Sequence, residues 1–327
     1  LSMARVHQKI GKNWTRQLRF KEASLSLGTA EEILQAASDH DGAEWHAAWL
    51  EIKLGQVENF YFQHRWSEME EILDSIKDQI KQYGSLHQQA RFYSSLAMLD
   101  SNRTRYAGSE DGVTYARQAL TISEQIGDQE LIASNRFTLG MAFLWLRKLE
   151  EAESALASAL AKAEEVGSLR IQITAVTYLI TIQRLKGDET KVQQSLAKAQ
   201  GCIRQEGSPF YMGAMEANFA WLAYRAGHKD EALLLAHKAF NYWKDLTYPF
   251  QWQALWLLLD ITLERGDLES AVKWAQCMLH PFQIKLPDAI EDHLTVATEV
   301  WTEQGEQANV EENLKQALTL AKEYGYL

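Results

Sequence analysis

The stretch ASNRFTLGMAFLWLRKLEEAESALASALAKAEEVG, residues Ala133–Gly167, contains two runs in which apolar residues recur three and four positions apart. This spacing is the period of an α-helix with one buried face, so it predicts two amphipathic helices with a short break at Arg147–Leu149. Gly140 and Ala152 carry no bulk, so the two helices can approach closely at those points. A single hairpin cannot bury both faces, so we expect neighbouring hairpins to stack on it.

The same pattern recurs along the chain at a spacing of about 40 residues. A small or branched residue opens the second helix of successive hairpins at gaps of 40, 40, 39 and 39, at Ala152, Val192, Ala232, Ala271 and Val310. Weaker matches lie upstream, at Gly112, Met69 and Ala23. Two further markers keep the same register: Ala159, Ala199, Ala239, Met278 and Ala317, and the pairs Pro209-Phe210 and Pro249-Phe250. The chain is therefore predicted to be all-α, with about eight hairpins and sixteen helices.

Glycines followed by polar residues mark the expected breaks between helices. Glycine suits the left-handed position after a helix, and aspartate can cap the helix that follows. We predict such turns at Gly127-Asp128, Gly187-Asp188, Gly227-His228 and Gly266-Asp267, further turns at His40-Asp41-Gly42 and Gly305, and a C-cap at Gly84.

The composition excludes several classes of function. The chain has 327 residues, is 46% hydrophobic and contains only 4 prolines, which suits helices throughout. Its net charge of −11 argues against a nucleic-acid partner, and no apolar run reaches the ~18 residues that a membrane helix needs. The two cysteines, Cys202 and Cys277, are interpreted as small buried apolar residues in a reducing compartment, which favours a cytoplasmic location.

Motifs that carry catalysis or cofactor binding do not occur in the sequence. There is no GxxxxGK[ST], GxSxG, HExxH or CxxC, and the nine histidines are scattered. Paired acids such as Glu150-Glu151 fall at predicted helix starts, where the helix dipole favours them. We therefore expect no enzyme activity, no cofactor and no metal site.

The opening stretch resembles the tetratricopeptide repeat. It has the Leu139-Gly140 pair, Phe143 three residues on, and then Ala152, Leu156 and Ala159. The common unit of that family is 34 residues, whereas the unit here is nearer 40, so each helix is roughly a turn longer. The longer unit resembles the sensor regions of bacterial STAND and AAA-ATPase signalling proteins, including transcription activators and cyclase-linked ATPases. This resemblance implies a right-handed α-solenoid, with residues 1–327 as a single superhelical domain.

The resemblance also implies a function in recognition. We expect a non-catalytic scaffold of a bacterial regulatory protein that binds a peptide, a protein partner or a small effector in its concave groove. The sequence LSMARVHQKIGKNW does not look like a natural start, so we expect a fragment whose effector domain is attached elsewhere. The alternative is a structural spacer or self-association module, and a third possibility is an enzyme built on a helical scaffold.

The first helices of the repeats are expected to line the groove, and arginines recur near their ends. Arginines beside tryptophan and tyrosine would suit a carboxylate, a phosphate, a sugar-like ligand or a peptide. In the other interpretation, the arginines pair with nearby acids and the aromatic rings pack between repeats. The candidate binding residues are Arg105, Trp145, Thr181, Arg184, Trp221, Tyr224, Arg225, Trp256 and Asp260.

Overall fold

The structure is a computed structural model that describes residues 1–17, 19–37, 42–303 and 307–327. These residues form sixteen α-helices and no strand. The helices are α1 (Ser2–Arg16), α2 (Phe20–Gln35), α3 (Ala43–Phe62), α4 (Trp66–Tyr83), α5 (Leu86–Arg103), α6 (Glu110–Ile126), α7 (Gln129–Trp145), α8 (Leu149–Glu165), α9 (Leu169–Leu185), α10 (Glu189–Glu206), α11 (Pro209–Arg225), α12 (Lys229–Trp243), α13 (Trp252–Glu264), α14 (Leu268–Met278), α15 (Asp288–Thr302) and α16 (Gln307–Glu323).

The chain divides into two compact units, Leu1–Lys148 and Leu149–Leu327, so α7 lies in the first and α8 in the second. In the first unit, consecutive helices pack together as hairpins, and α1, α3, α5 and α7 form one row of neighbours. In the second unit, α9, α11 and α13 form a similar row, with α10, α12 and α14 as their hairpin partners. The last helix, α16, packs on both α13 and α14.

The small residues of the predicted register are buried wherever hairpins meet. Ala152, Val192, Ala232, Ala271 and Val310 all have a relative exposure of 0%. Gly213 on α11 shows why such positions need small residues. A Cβ atom there would lie 2.2 Å from Nε1 of Trp243, whose indole nitrogen donates a hydrogen bond to the Phe210 carbonyl. The helices of the α11–α12 hairpin therefore approach closely at Gly213, a position that the sequence analysis did not single out.

The predicted turns agree with the structure where it describes them. Gly127, Gly187, Gly227 and Gly266 all adopt positive φ, and the carboxylates of Asp128, Asp188 and Asp267 accept hydrogen bonds from the first turn of the following helix. Gly84 does end α4, but its backbone is extended rather than left-handed. The predicted turn at Gly305 and most of the one at His40-Asp41-Gly42 lie outside the described residues.

The cap at Asp188 gives a direct test of how the hairpins are held. Its Oδ1 atom accepts a hydrogen bond from the Lys191 backbone nitrogen at 3.0 Å, at the start of α10. Replacing Asp188 with alanine should lower the free energy of unfolding by about 1 kcal/mol, because the first turn loses its acceptor. Urea denaturation followed by circular dichroism measures this change. Asp188→Asn keeps an acceptor and should cost much less, so an equal loss in both variants would contradict the cap.

Candidate functional site

Seven of the nine predicted binding residues lie in the second unit, on the row formed by α9, α11 and α13. They are Thr181, Arg184, Trp221, Tyr224, Arg225, Trp256 and Asp260. The other two belong to the first unit, where the ring of Trp145 lies 4.9 Å from that of Tyr106 and Arg105 adopts a positive φ of 53°. We therefore describe the candidate site from the second unit alone.

Arg184 forms the centre of this site. Its side chain has a relative exposure of 0%, and its guanidinium carbon lies 5.8 Å from the Trp221 ring centroid and 5.2 Å from that of Trp252. Nη2 donates a hydrogen bond of 3.1 Å to the backbone carbonyl of Tyr326. No carboxylate among the described residues pairs with it, and burial lowers the pKa of Arg184 to about 9. A buried cation without a carboxylate partner is costly, which makes Arg184 a candidate for a functional residue.

The segment after α16 covers Arg184. Tyr326 packs its ring against Trp252, with centroids 4.9 Å apart, and against Trp256 at 6.2 Å. Tyr326 and Leu327 are only 4% and 7% exposed. Gly325 makes this path possible, because it has a φ of +78° and a Cβ atom at this position would lie 2.3 Å from the Leu185 carbonyl oxygen. The segment thus runs directly over the end of α9.

Polar side chains connect the three helices behind this segment. Asn218 on α11 donates a hydrogen bond to Gln253 Oε1 at 3.3 Å, and Gln253 donates from Nε2 to Thr181 Oγ1 at 3.4 Å. All three residues are buried. This chain of hydrogen bonds fixes the relative positions of α9, α11 and α13 beside Arg184.

Several buried polar atoms of these helices have no hydrogen-bond partner among the described residues. An unsatisfied buried donor or acceptor costs about 1–3 kcal/mol, so native proteins contain few of them. Here they are concentrated on α9, α11 and α13: Gln183 Oε1, Arg184 Nε and Nη1, Asn218 Oδ1, and the indole nitrogens of Trp221, Trp252 and Trp256. Most of these atoms are donors, so an occupant rich in oxygen acceptors would suit the site.

Charged side chains near the site form hydrogen bonds and ion pairs with one another. Asp260 is 4% exposed; its carboxylate accepts a hydrogen bond of 2.5 Å from the Tyr224 hydroxyl and lies 3.4 Å from Nζ of Lys322 on α16. Burial, and then the bond to Asp260, raise the pKa of Tyr224 above its usual range. Arg225 donates to Glu189 at 2.8 Å, as expected if the arginines of the first helices pair with acids. Arg184 does not follow that interpretation.

The sequence analysis missed four residues that complete the site. Trp252 lies one helical turn before Trp256, a spacing that places both on one face of α13 and could have revealed it. Asn218 and Gln253 carry no such signal, since a polar residue in a helix is usually exposed. Tyr326 could not be found either, because its contact with Arg184 spans 142 residues of sequence.

The described residues contain no group of three or more His, Cys, Asp or Glu side chains that could hold a metal ion. Cys202 and Cys277 are both free thiols and are half-buried, so they are less deeply buried than the sequence analysis expected. In the described part of the chain, no helix is long and apolar enough to cross a membrane. Around Arg184 the structure offers hydrogen-bond donors and aromatic faces, both of which can contact a ligand.

Comparison with known proteins identifies the fold. No protein-family model matches the chain, and no curated protein matches it either. Among solved structures, the chain is similar to a Rap protein complexed with Competence and Sporulation Factor, with a TM-score of 0.70 and 14% sequence identity. The match covers 98% of this chain and 88% of the Rap chain. It is also similar to NprR in complex with its cognate peptide NprX, at a TM-score of 0.65 and 13% identity over 98% and 83%.

A third similar structure belongs to the class that the sequence resembles. It is a STAND protein with a tetratricopeptide repeat sensor, PH0952 from Pyrococcus horikoshii, at a TM-score of 0.54 and 16% identity over 90% of this chain and 44% of that one. The chain thus has the tetratricopeptide-repeat-like α-solenoid fold of these helical sensors. This confirms the predicted fold class. Because the sequence identities are low, the similarity concerns the fold alone.

Proposed function

We propose that the chain is a regulatory sensor that binds a peptide at the row formed by α9, α11 and α13. One observation carries the proposal: Nε and Nη1 of Arg184 and the indole nitrogens of Trp221, Trp252 and Trp256 are buried together and have no hydrogen-bond acceptor among the described residues. A peptide main chain supplies a carbonyl oxygen at every residue, so it matches a wall of donors. One of the similar structures, NprR, is in complex with its cognate peptide NprX, which supports this class of ligand.

A sensor of this kind acts through a second surface, either on an attached effector domain or on a separate partner protein. Binding energy then shifts the equilibrium between two arrangements of the helices, and the partner responds to one of them. We propose this action without an enzymatic step in the chain itself, and a cytoplasmic location for it.

The test is selection of ligands from a random heptapeptide library, followed by titration calorimetry. We expect selected peptides to bind the wild-type chain and to bind Arg184→Met at least about 10-fold more weakly, the effect of about 1.4 kcal/mol that a lost charge-assisted hydrogen bond can produce. The matched control is Arg265→Met, which removes an exposed arginine that pairs with Asp230. Equal affinities for the two variants, or no selected peptide at all, would contradict the proposal.

The spacer hypothesis makes a different prediction in the same experiment. A self-association module should give no selected peptide and a molecular mass that rises with concentration in light scattering. Buried donors around Arg184 that have no acceptor among the described residues do not favour it, because a structural spacer gains no stability from a buried cation.

A further inference from the structure

We propose that the segment Gly325–Leu327 occupies the ligand site in cis, and that the natural ligand is a peptide that places an aromatic side chain where Tyr326 lies. The inference rests on the proposed function and deepens it, since it names the chemistry of the ligand and the way in which the site is kept closed. The segment acts as an internal competitor that an arriving peptide displaces.

The contacts of Tyr326 are those expected of a bound peptide. Its carbonyl oxygen accepts a hydrogen bond from Arg184, and its ring packs against two tryptophans of α13. Ending α16 requires only a local bond, which the Tyr326 backbone nitrogen makes to the Ala321 carbonyl at 2.9 Å. The reach to α9 is additional to that cap. It depends on Gly325, whose lack of a side chain lets the backbone cross above Leu185.

The segment satisfies the site only in part, which leaves room for a better occupant. Arg184 gives one hydrogen bond to Tyr326, while its Nε and Nη1 atoms and the indole nitrogens of Trp252 and Trp256 have no acceptor among the described residues. A peptide with a carboxylate or a second carbonyl beside its aromatic residue could use these donors as well. A peptide that satisfies more of these donors than the segment does would bind more strongly and could replace it.

Displacement requires a local movement of Gly325–Leu327. These residues come after α16, and Gly325 is in the left-handed conformation. α16 itself is held independently by its contacts with α13 and α14 and by the Lys322–Asp260 ion pair. Tyr326 can therefore leave the site when its bond to the Ala321 carbonyl breaks, while the rest of α16 stays in place. Because the segment is tethered, it competes at an effective concentration of order millimolar, and removing it should strengthen binding of a free peptide.

The first experiment uses a fluorescent peptide with the sequence of residues 322–327, KEYGYL, as the probe. We expect the Tyr326→Ala chain to bind this probe at least 10-fold more tightly than the wild-type chain, and to reject KEYGAL. The control variant is Tyr324→Ala, which alters a neighbouring tyrosine that is 37% exposed and should leave binding at the wild-type level. Equal binding of KEYGYL by the Tyr326→Ala and wild-type chains would overturn the inference.

A second experiment needs no variant. Hydrogen exchange of the wild-type chain is measured with and without a peptide selected from the library, and the Tyr326 amide, which donates to Ala321, is followed. We expect faster exchange at residues 325–327 when the peptide is bound. If the selected peptide binds tightly while these amides keep their protection, the segment is a fixed part of the fold and the inference fails, although the proposed function stands. If neither chain binds any peptide, both proposals fail.

Discussion

Replacing Arg184 with methionine should raise the free energy of unfolding while it weakens peptide binding. The arginine is fully buried and has no carboxylate partner among the described residues. Apolar replacement of buried charged groups is often neutral or stabilising by about 1–4 kcal/mol, because the cost of removing the charge from water disappears. We expect a gain within that range. Methionine fills a similar volume beside Trp221 and Trp252, and the loss of one hydrogen bond to Tyr326 offsets only part of the gain.

The gain should depend on pH in a defined direction. Burial lowers the pKa of Arg184 in the folded chain to about 9, well below its usual value. From about pH 9 up to that usual value the unfolded chain binds more protons, so the wild-type chain gains stability as the pH rises through this window. The advantage of Arg184→Met should therefore be complete below about pH 9 and shrink above it. Urea denaturation at pH 7.5 and 10.5 measures this, with Arg265→Met as the control, and a less stable methionine variant at pH 7.5 would refute it.

The second large effect is expected from overpacking the hairpin of α11 and α12. Ala232 has an exposure of 0% and belongs to an apolar cluster with Ala223 and Ile261. Ala232→Trp should lower the free energy of unfolding by about 3 kcal/mol, the upper end of the usual cost of inserting bulk into a packed core. Thermal denaturation followed by circular dichroism gives the shift in Tm.

Leu234→Trp provides the matched control for this change. Leu234 lies two residues further along the same helix and is 70% exposed, so an indole there meets solvent and should change stability by less than about 0.5 kcal/mol. Equal loss of stability at the two positions would mean that Ala232 does not face a neighbouring helix.

The repeat architecture could be predicted because its determinants are local. Hairpins of similar length must bring small residues together at a constant interval, so small residues recur in the sequence about every 40 positions. The structure buries each of these residues completely from Ala152 to Val310. The break at Arg147–Leu149 also follows from local pattern, since α7 ends at Trp145 and α8 begins at Leu149.

The candidate site was only partly accessible to the same reasoning. The period brings Arg184 and Trp221 together on neighbouring first helices, and their 5.8 Å separation in the structure agrees with that. It could not indicate that Arg184 would be fully buried, because Tyr326, which covers it, comes after α16. No periodic signal marks Tyr326, and a contact across 142 residues depends on the path of the whole second unit.

The same long contact has a consequence for synthesis. In a plain repeat array each hairpin needs only its neighbours, so the chain can fold as it leaves the ribosome. Here α13, the last of the three helices that carry Arg184 and the tryptophans, is complete about 60 residues before Tyr326 exists, which at about 5–20 residues per second leaves a delay of about 3–12 s. Under the proposed function, the newborn protein would present Arg184 and its tryptophans during that interval without their tethered rival, so a peptide already in the cell would meet its most receptive form.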